Sequence, residues 1–184
     1  PVGLSGVVEA DALALPWERL PGPWKVIGNL PYNIASPLMW ELFSRAGDLR
    51  RAVFMVQKEV GLRLAAKPNT SAYGALSIWV QSFVRPELAF IVPPHVFSPK
   101  PKVDSAVLAF TPHPPGSMRF SPKGLARVLR ASFQMRRKQL GTIFRNIDSF
   151  IELLNEMGVS PTLRPENLTV EQFHFLSQTP IFCR

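Results

Sequence analysis

Trp24-Lys25-Val26-Ile27-Gly28, followed at once by Asn29-Leu30-Pro31-Tyr32, is the stretch on which the reading of this chain turns. A largely apolar run of strand length ends in a polar amide, a proline and an aromatic. Proline has no N–H and a fixed φ, so the strand stops there. What gathers at its end suits an amino-bearing planar ring. The Asn29 side-chain oxygen can accept one hydrogen of an exocyclic amine, and a backbone carbonyl held in place by Pro31 can accept the other. Tyr32 can lie flat against the ring, as bases taken out of a nucleic-acid stack require. Two acceptors on one NH2 draw its lone pair out of conjugation and aim it at an electrophile without a strong general base. The same four residues also compose an ordinary strand-to-loop turn, where Asn and Pro are common.

On the C-terminal side, Ser36-Pro37 predicts a helix running to about residue 46, with Ser36 as N-cap and Pro37 at the first helical position. Leu38, Met39, Leu42 and Phe43 recur at helical spacing and face a core. Ala52-Val53-Phe54-Met55-Val56 is an unbroken apolar run, as expected of a strand buried on both faces of a sheet. Residues 59–66 and 73–84 read as helices. Residues 87–92 and 103–110 read as an antiparallel pair of edge strands flanking a proline-rich loop. On the N-terminal side, Val7-Val8 before Glu9-Ala10-Asp11 reads as a short strand ending in an acid. This alternation predicts an α/β sheet covered on both faces. From Ser121 onward the pattern is helical only, over 122–133, 138–145, 148–157 and 166–176. The stretch Thr111-Pro112-His113-Pro114-Pro115-Gly116 then separates a sheet domain, 1–112, from an all-α domain, 117–184.

Composition narrows the function. An apolar content of 46% with 10% aromatics over 184 residues predicts a folded protein with one substantial core. No run of about eighteen apolar residues is present, so no membrane helix is expected. The lone Cys183 excludes an internal disulfide and fits a reducing, cytoplasmic setting. His95, His113 and His174 lack metal-ligand spacing, so no metal is expected. The net charge of +8 is unevenly placed: Arg119, Lys123, Arg127, Arg130, Arg136, Arg137, Lys138 and Arg145 occur between Asp104 and Asp148 with no acid among them. Lys123, Arg127 and Arg130 share a helix face, and Arg136, Arg137 and Lys138 extend it. Such a block suits a polyanion. A solvated helix face is the alternative.

The extended motif Asn29 to Pro37 resembles the nucleotide-amine methyltransferase motif of rRNA adenine N6,N6-dimethyltransferases. Further matches follow in that family's order: Gln57-Lys58-Glu59-Val60 with Arg63-Leu64, Ala72 to Ser77, and Val92 to Val107. Phe133 to Asn146 and Arg164-Pro165-Glu166 with Leu168 resemble its C-terminal signature. The resemblance covers essentially the whole chain and is nearest the bacterial (KsgA-type) branch acting on small-subunit rRNA. It implies a Rossmann-like class I methyltransferase sheet plus a small helical rRNA-binding domain, S-adenosylmethionine as cofactor, and a precursor of the small (30S) ribosomal subunit as partner of a monomer. It implies that Asn29, Leu30, Pro31, Tyr32 and Phe97 form the catalytic site, with Tyr32 and Phe97 on the two faces of the base. Asp11, Ala12 and Asn29 would bind the cofactor, and Lys123, Arg127, Arg130, Arg136, Arg137 and Lys138 the RNA. The Gly-rich turn that opens such domains has no counterpart here, since Gly3 and Gly6 follow no apolar strand. The chain therefore reads as an N-terminally truncated form, with cofactor binding impaired and activity of the chain alone in question. Two rivals are the macrolide-resistance branch acting on large-subunit rRNA and a non-catalytic rRNA-binding or ribosome-assembly fragment.

Overall fold

The computed structural model describes residues 6, 9–20, 22–31, 33–117 and 119–183. The expected strand at Val7-Val8 lies outside them. Four strands form one sheet: β1 (Trp24–Asn29), β2 (Leu49–Gln57), β3 (Val84–Val92) and β4 (Ser105–Pro112), in the order β1-β2-β4-β3. β1 runs parallel to β2, and Asn29 stands opposite Met55. β4 returns antiparallel between β2 and β3, so the expected antiparallel pair is present with its second strand inserted inside the sheet.

Helices α1 (Ala35–Arg45), α2 (Lys58–Leu64) and α3 (Ala75–Phe83) belong to this half. Strand period explains what they cover. Ala52, Phe54 and Val56 of β2 and Ala106, Leu108 and Phe110 of β4 point into the core and are fully buried or nearly so. Phe43 of α1 packs on Phe54 and Phe110 there, with ring centroids 6.3 and 4.9 Å away. Trp40 and Trp79 stack at 3.8 Å, and the Trp79 indole N–H donates to the Trp40 carbonyl, which ties α1 to α3. The other face of the sheet differs from expectation. Val53, Met55 and Val107 are only half-buried there, and Ile27 and Phe90 are exposed. The run at Ala52 to Val56 is apolar on both faces, but among the described residues only one face is covered by helices.

The helical half holds α4 (Pro122–Gln134), α5 (Leu140–Ile143), α6 (Phe150–Glu156), α7 (Val170–Ser177) and α8 (Pro180–Cys183). Ser121 caps α4, its Oγ accepting the Gly124 N–H at 3.1 Å. Gly124 is required by contact: a Cβ there would meet the Ser177 carbonyl oxygen of α7. The expected helix over 166–176 begins later, at Val170, with Thr169 as cap. Pro165–Asn167 forms a separate 3-10 turn, because Arg164 and Asn167 close a local bond of 2.7 Å. Both halves share one continuous core, with Ile78 and Trp79 of α3 joined to Leu125, Phe173 and Leu176.

Candidate active site

Asn29 occupies the last position of β1, at the carboxyl end of the parallel pair, where open α/β sheets hold their ligands. The Leu30 N–H still bonds the Met55 carbonyl at 3.0 Å, carrying the ladder one residue past the strand. Pro31 cannot continue it, having no N–H. Its carbonyl instead accepts from the Ile34 and Ala35 amides, both at 3.1 Å, and so starts α1. This corrects the N-cap: Ile34 holds that position, and Ser36 lies within the first turn without capping it. It also decides which carbonyl is open. Pro31's is taken by the helix, whereas the Leu30 carbonyl receives no bond from the described residues. Leu30 itself anchors the turn with a buried side chain, while Asn29 and Pro31 are exposed.

A cleft of about 340 Å³ opens at this point, lined by Asn29, Leu30 and Pro31 on one side and Phe97, Ser98, Pro99 and Pro101 on the other, with Met55 and Ser105 between them. The structure therefore brings four of the five expected catalytic residues to one place. Tyr32, the fifth, lies outside the described residues. Phe97 is half-buried and follows a 3-10 turn, Pro94–Val96, its N–H bonded to the Pro94 carbonyl at 3.2 Å. Prolines at 93, 94, 99 and 101 limit what this loop loses in entropy by holding one shape. The base of the loop is clamped by Lys58, whose N–H donates to the Asp104 carbonyl at 2.9 Å and whose Nζ pairs with the Asp104 carboxylate at 2.8 Å.

Met55, Ser98, Pro99, Pro101 and Ser105 also line the cleft, and none of them was expected as a site residue from the sequence. A signal for Met55 was present: strand period puts it on the same face as Asn29 once the two strands are paired in parallel. That pairing is not legible in either strand alone. Asp11 and Ala12 do not line the cleft. Asp11 is exposed, and its Oδ1 accepts the Leu13 N–H at 2.9 Å, the turn-capping role common for Asp. Its second oxygen accepts nothing from the described residues.

The basic block divides. Lys123, Arg127 and Arg130 are exposed along one face of α4, although one Arg127 nitrogen donates to the Phe182 carbonyl at 3.0 Å. Arg137 and Lys138 are exposed, and their side chains have no partner among the described residues. Arg136 departs from the expectation. Its Nε pairs with Glu166 at 2.7 Å and a terminal nitrogen donates to the Ser71 carbonyl at 2.7 Å, so the group expected on RNA is already held by protein. Arg127 and Arg130 also overlook a larger groove of about 860 Å³, whose opposite wall is Ser36, Pro37 and Trp40 of α1. Among the described residues no three His, Cys, Asp or Glu side chains converge as a metal site, and no helix is long and apolar enough to cross a membrane.

Residues 7–179 match the model of the family described as ribosomal RNA adenine dimethylase. The chain is 57% identical over 176 residues to the ribosomal RNA small subunit methyltransferase A of Nitratidesulfovibrio vulgaris (strain DP4), across 94% of this chain and 66% of that protein. To the protein of the same name from Lawsonia intracellularis it is 50% identical over 170 residues, across 91% of this chain and 63% of that one. The chain thus spans just under two thirds of the length of these relatives. Among solved structures it resembles a dimethyladenosine transferase from Plasmodium falciparum, with a TM-score of 0.71 and 26% identity over 90% of this chain and 68% of that one. The fold also matches that of the 23S rRNA methyltransferase ErmE, at a TM-score of 0.66 and 21% identity over 93% of this chain and 70% of that one.

Proposed function

Because this chain belongs to the ribosomal RNA adenine dimethylase family, we propose that it forms part of an enzyme that N6,N6-dimethylates adenines of small-subunit rRNA with S-adenosylmethionine. The observation that carries this reading is the cleft that Asn29, Leu30 and Phe97 line together, with the Leu30 carbonyl free of bonds from the described residues. A pocket of this volume suits one base extruded from its stack. The Asn29 oxygen accepts one hydrogen of the adenine amine and the Leu30 carbonyl the other. The nitrogen lone pair then leaves the ring's conjugation and faces out of the base plane. Phe97 holds one face of the base; for Tyr32 on the other face the reading rests on the sequence alone.

S-adenosylmethionine, when bound, supplies the electrophilic methyl group. Asp11 and Asn29 are exposed and carry acceptor oxygens suited to its amine donors, and we assign cofactor contacts to them and to Ala12. Transfer of that methyl, with the S–CH3 electron pair leaving on the now neutral thioether sulfur, would place a positive charge on the amine, which its two acceptors would stabilise until one proton leaves to solvent. The second transfer repeats this on the monomethylated amine, whose one remaining hydrogen needs one acceptor.

Residues 1–112 act as the catalytic domain and 117–184 as the rRNA-binding domain in this reading. Lys123, Arg127, Arg130, Arg137 and Lys138 contact phosphates. The partner is a precursor of the small (30S) ribosomal subunit, and the protein works as a monomer in the cytoplasm. The small-subunit reading is favoured over the large-subunit one because both curated relatives described above carry the small-subunit name. The test is methyl transfer by the protein at full family length. Replacing Asn29 by Ala should abolish most transfer to small-subunit rRNA while leaving rRNA affinity intact. Transfer at the parental rate would remove the cleft from the reaction.

A further inference from the structure

The sequence groups Arg136 with its neighbours in the cationic block, but the structure builds it into a joint between the two halves of the molecule. Its guanidinium spans two acceptors, Glu166 Oε2 in the 3-10 turn Pro165–Asn167 and the Ser71 carbonyl in the loop between α2 and α3. Two more bonds run beside it. The Asn69 N–H donates to the Glu166 carbonyl at 2.9 Å, and Asn167 Nδ2 donates to Asn69 Oδ1 at 2.7 Å. Asn69 sits at φ 67°, the left-handed region that Asn adopts more readily than most residues. Four hydrogen bonds thus converge on one small junction, whereas Arg137 and Lys138 next to it face solvent.

The position of this junction gives it a consequence. The loop it grips follows α2, which begins where β2 leaves the cleft. Arg136 itself follows α4, the helix carrying Lys123, Arg127 and Arg130. Ala75, Leu76 and Phe133 line both the hollow that contains Ser71 and Arg136 and the groove separating α4 from α1. The halves also share a continuous core, so loosening the junction would shift the cationic face relative to Asn29 by a small amount rather than free it. A folded RNA held by its phosphates is a stiff object, and misplacement of its reacting base by about 1 Å is enough to cost much of the rate.

We propose that Arg136 and Glu166 are positioning residues, which with Asn69, Ser71 and Asn167 lock the cationic face of α4 at a fixed angle to the Asn29 cleft, so that RNA gripped by the one presents its adenine to the other. The proposal rests on the reaction proposed above. It separates Arg136 from the phosphate-binding residues on either side of it.

Arg136→Gln, Glu166→Gln and Arg137→Gln test it, compared first by binding of small-subunit rRNA to this chain over a salt series. Arg137→Gln should reduce the salt slope by about one, while Arg136→Gln and Glu166→Gln keep the parental slope. At full family length, methyl transfer at saturating RNA should then fall by about tenfold in Arg136→Gln and Glu166→Gln with KM unchanged. Arg136→Lys should recover only part of the rate, since an ammonium is a point charge and not a planar fork. A reduced slope in Arg136→Gln, or parental turnover in both joint variants, would overturn the proposal. Should Arg136→Gln fail to fold, the near-isosteric Glu166→Gln decides by the same two readings. A parental protein that leaves this rRNA unmethylated would overturn the reaction instead, before any variant is compared.

Discussion

Asn29 and Phe97 face each other across the cleft and respond differently to substitution. The Asn29 side chain makes no hydrogen bond among the described contacts, and its backbone stays in the β1 ladder after substitution, so Asn29→Ala should leave stability within about 0.5 kcal/mol, as for surface changes generally. Its effect should fall on transfer, where losing one positioned hydrogen-bond partner costs roughly 2–4 kcal/mol by analogy with an oxyanion-hole donor. Single-turnover methyl transfer beside an unfolding curve checks both halves. Phe97→Ala should weaken capture of the base by about 1–3 kcal/mol, and Phe97→Tyr should restore most of it, because stacking needs a ring and not a particular one. Rates of Phe97→Ala equal to the parent would make the loop structural only. At this scale the sequence was informative about which side chains gather at the cleft, Asn29 and Phe97 among them. It was silent on which carbonyl does, since Pro31's is withdrawn by the amides of Ile34 and Ala35, a tertiary detail of how α1 begins.

Among the elements, α4 is the one whose sequence spacing translated most directly into a surface. Gly124, Leu125, Val128 and Leu129 are buried and Lys123, Arg127 and Arg130 exposed, as a 3.6-residue period requires. Neutralising Arg127, Arg130 and Arg137 together should flatten the salt dependence of rRNA binding by up to about one unit per lost phosphate contact. An unchanged slope in filter binding would return the stripe to a solvated face. Helix α7 carries a different consequence. His174 is buried, stacked on Phe120 at 4.3 Å and 2.7 Å from the Ser82 hydroxyl. Ser82 gives its own proton to the Ile78 carbonyl, so His174 Nε2 is the donor in that pair. Burial pulls the imidazole from 6.5 down to about 4, with nearby His113 adding to the fall and Glu171 opposing it. The unfolded chain therefore binds a proton that the folded one refuses. Stability should be full above about pH 6.5, decline as pH falls towards 4 by roughly 2–3 kcal/mol, and level off below that. Urea unfolding of His174→Gln should show a flatter profile over this window, and an equally steep one would place the titration elsewhere. Nothing in the spacing of His174 announced this, because its partners come from α3 and from the residue preceding α4's cap.

For the molecule as a whole, alternation of strands and helices foretold the α/β sheet and the helical half, but not the insertion of β4 between β2 and β3. Strand order depends on which edges meet in space, and a run such as Val103 to Phe110 reads the same at an edge or inside. Coverage of both sheet faces was likewise inferred from the alternation of elements and from the unbroken apolar run Ala52 to Val56, and Ile27 and Phe90 stand exposed on the second face. The four described strands include none that runs into a Gly-rich turn and helix, the arrangement that supplies backbone donors to a dinucleotide-like cofactor. Titration calorimetry of this chain with S-adenosylmethionine should accordingly show weak binding or none, and tight stoichiometric binding would show that Asp11, Ala12 and Asn29 suffice. The central claim is that the Asn29 cleft receives an adenine of small-subunit rRNA and directs two methyl groups to its amine. Its most direct test is mass spectrometry of nucleosides from unmodified small-subunit rRNA after incubation with S-adenosylmethionine and the protein at full family length, parental or Asn29→Ala. The account predicts N6,N6-dimethyladenosine with the parent and almost none with the variant; methylation on another base, or equal dimethyladenosine from both proteins, would contradict it.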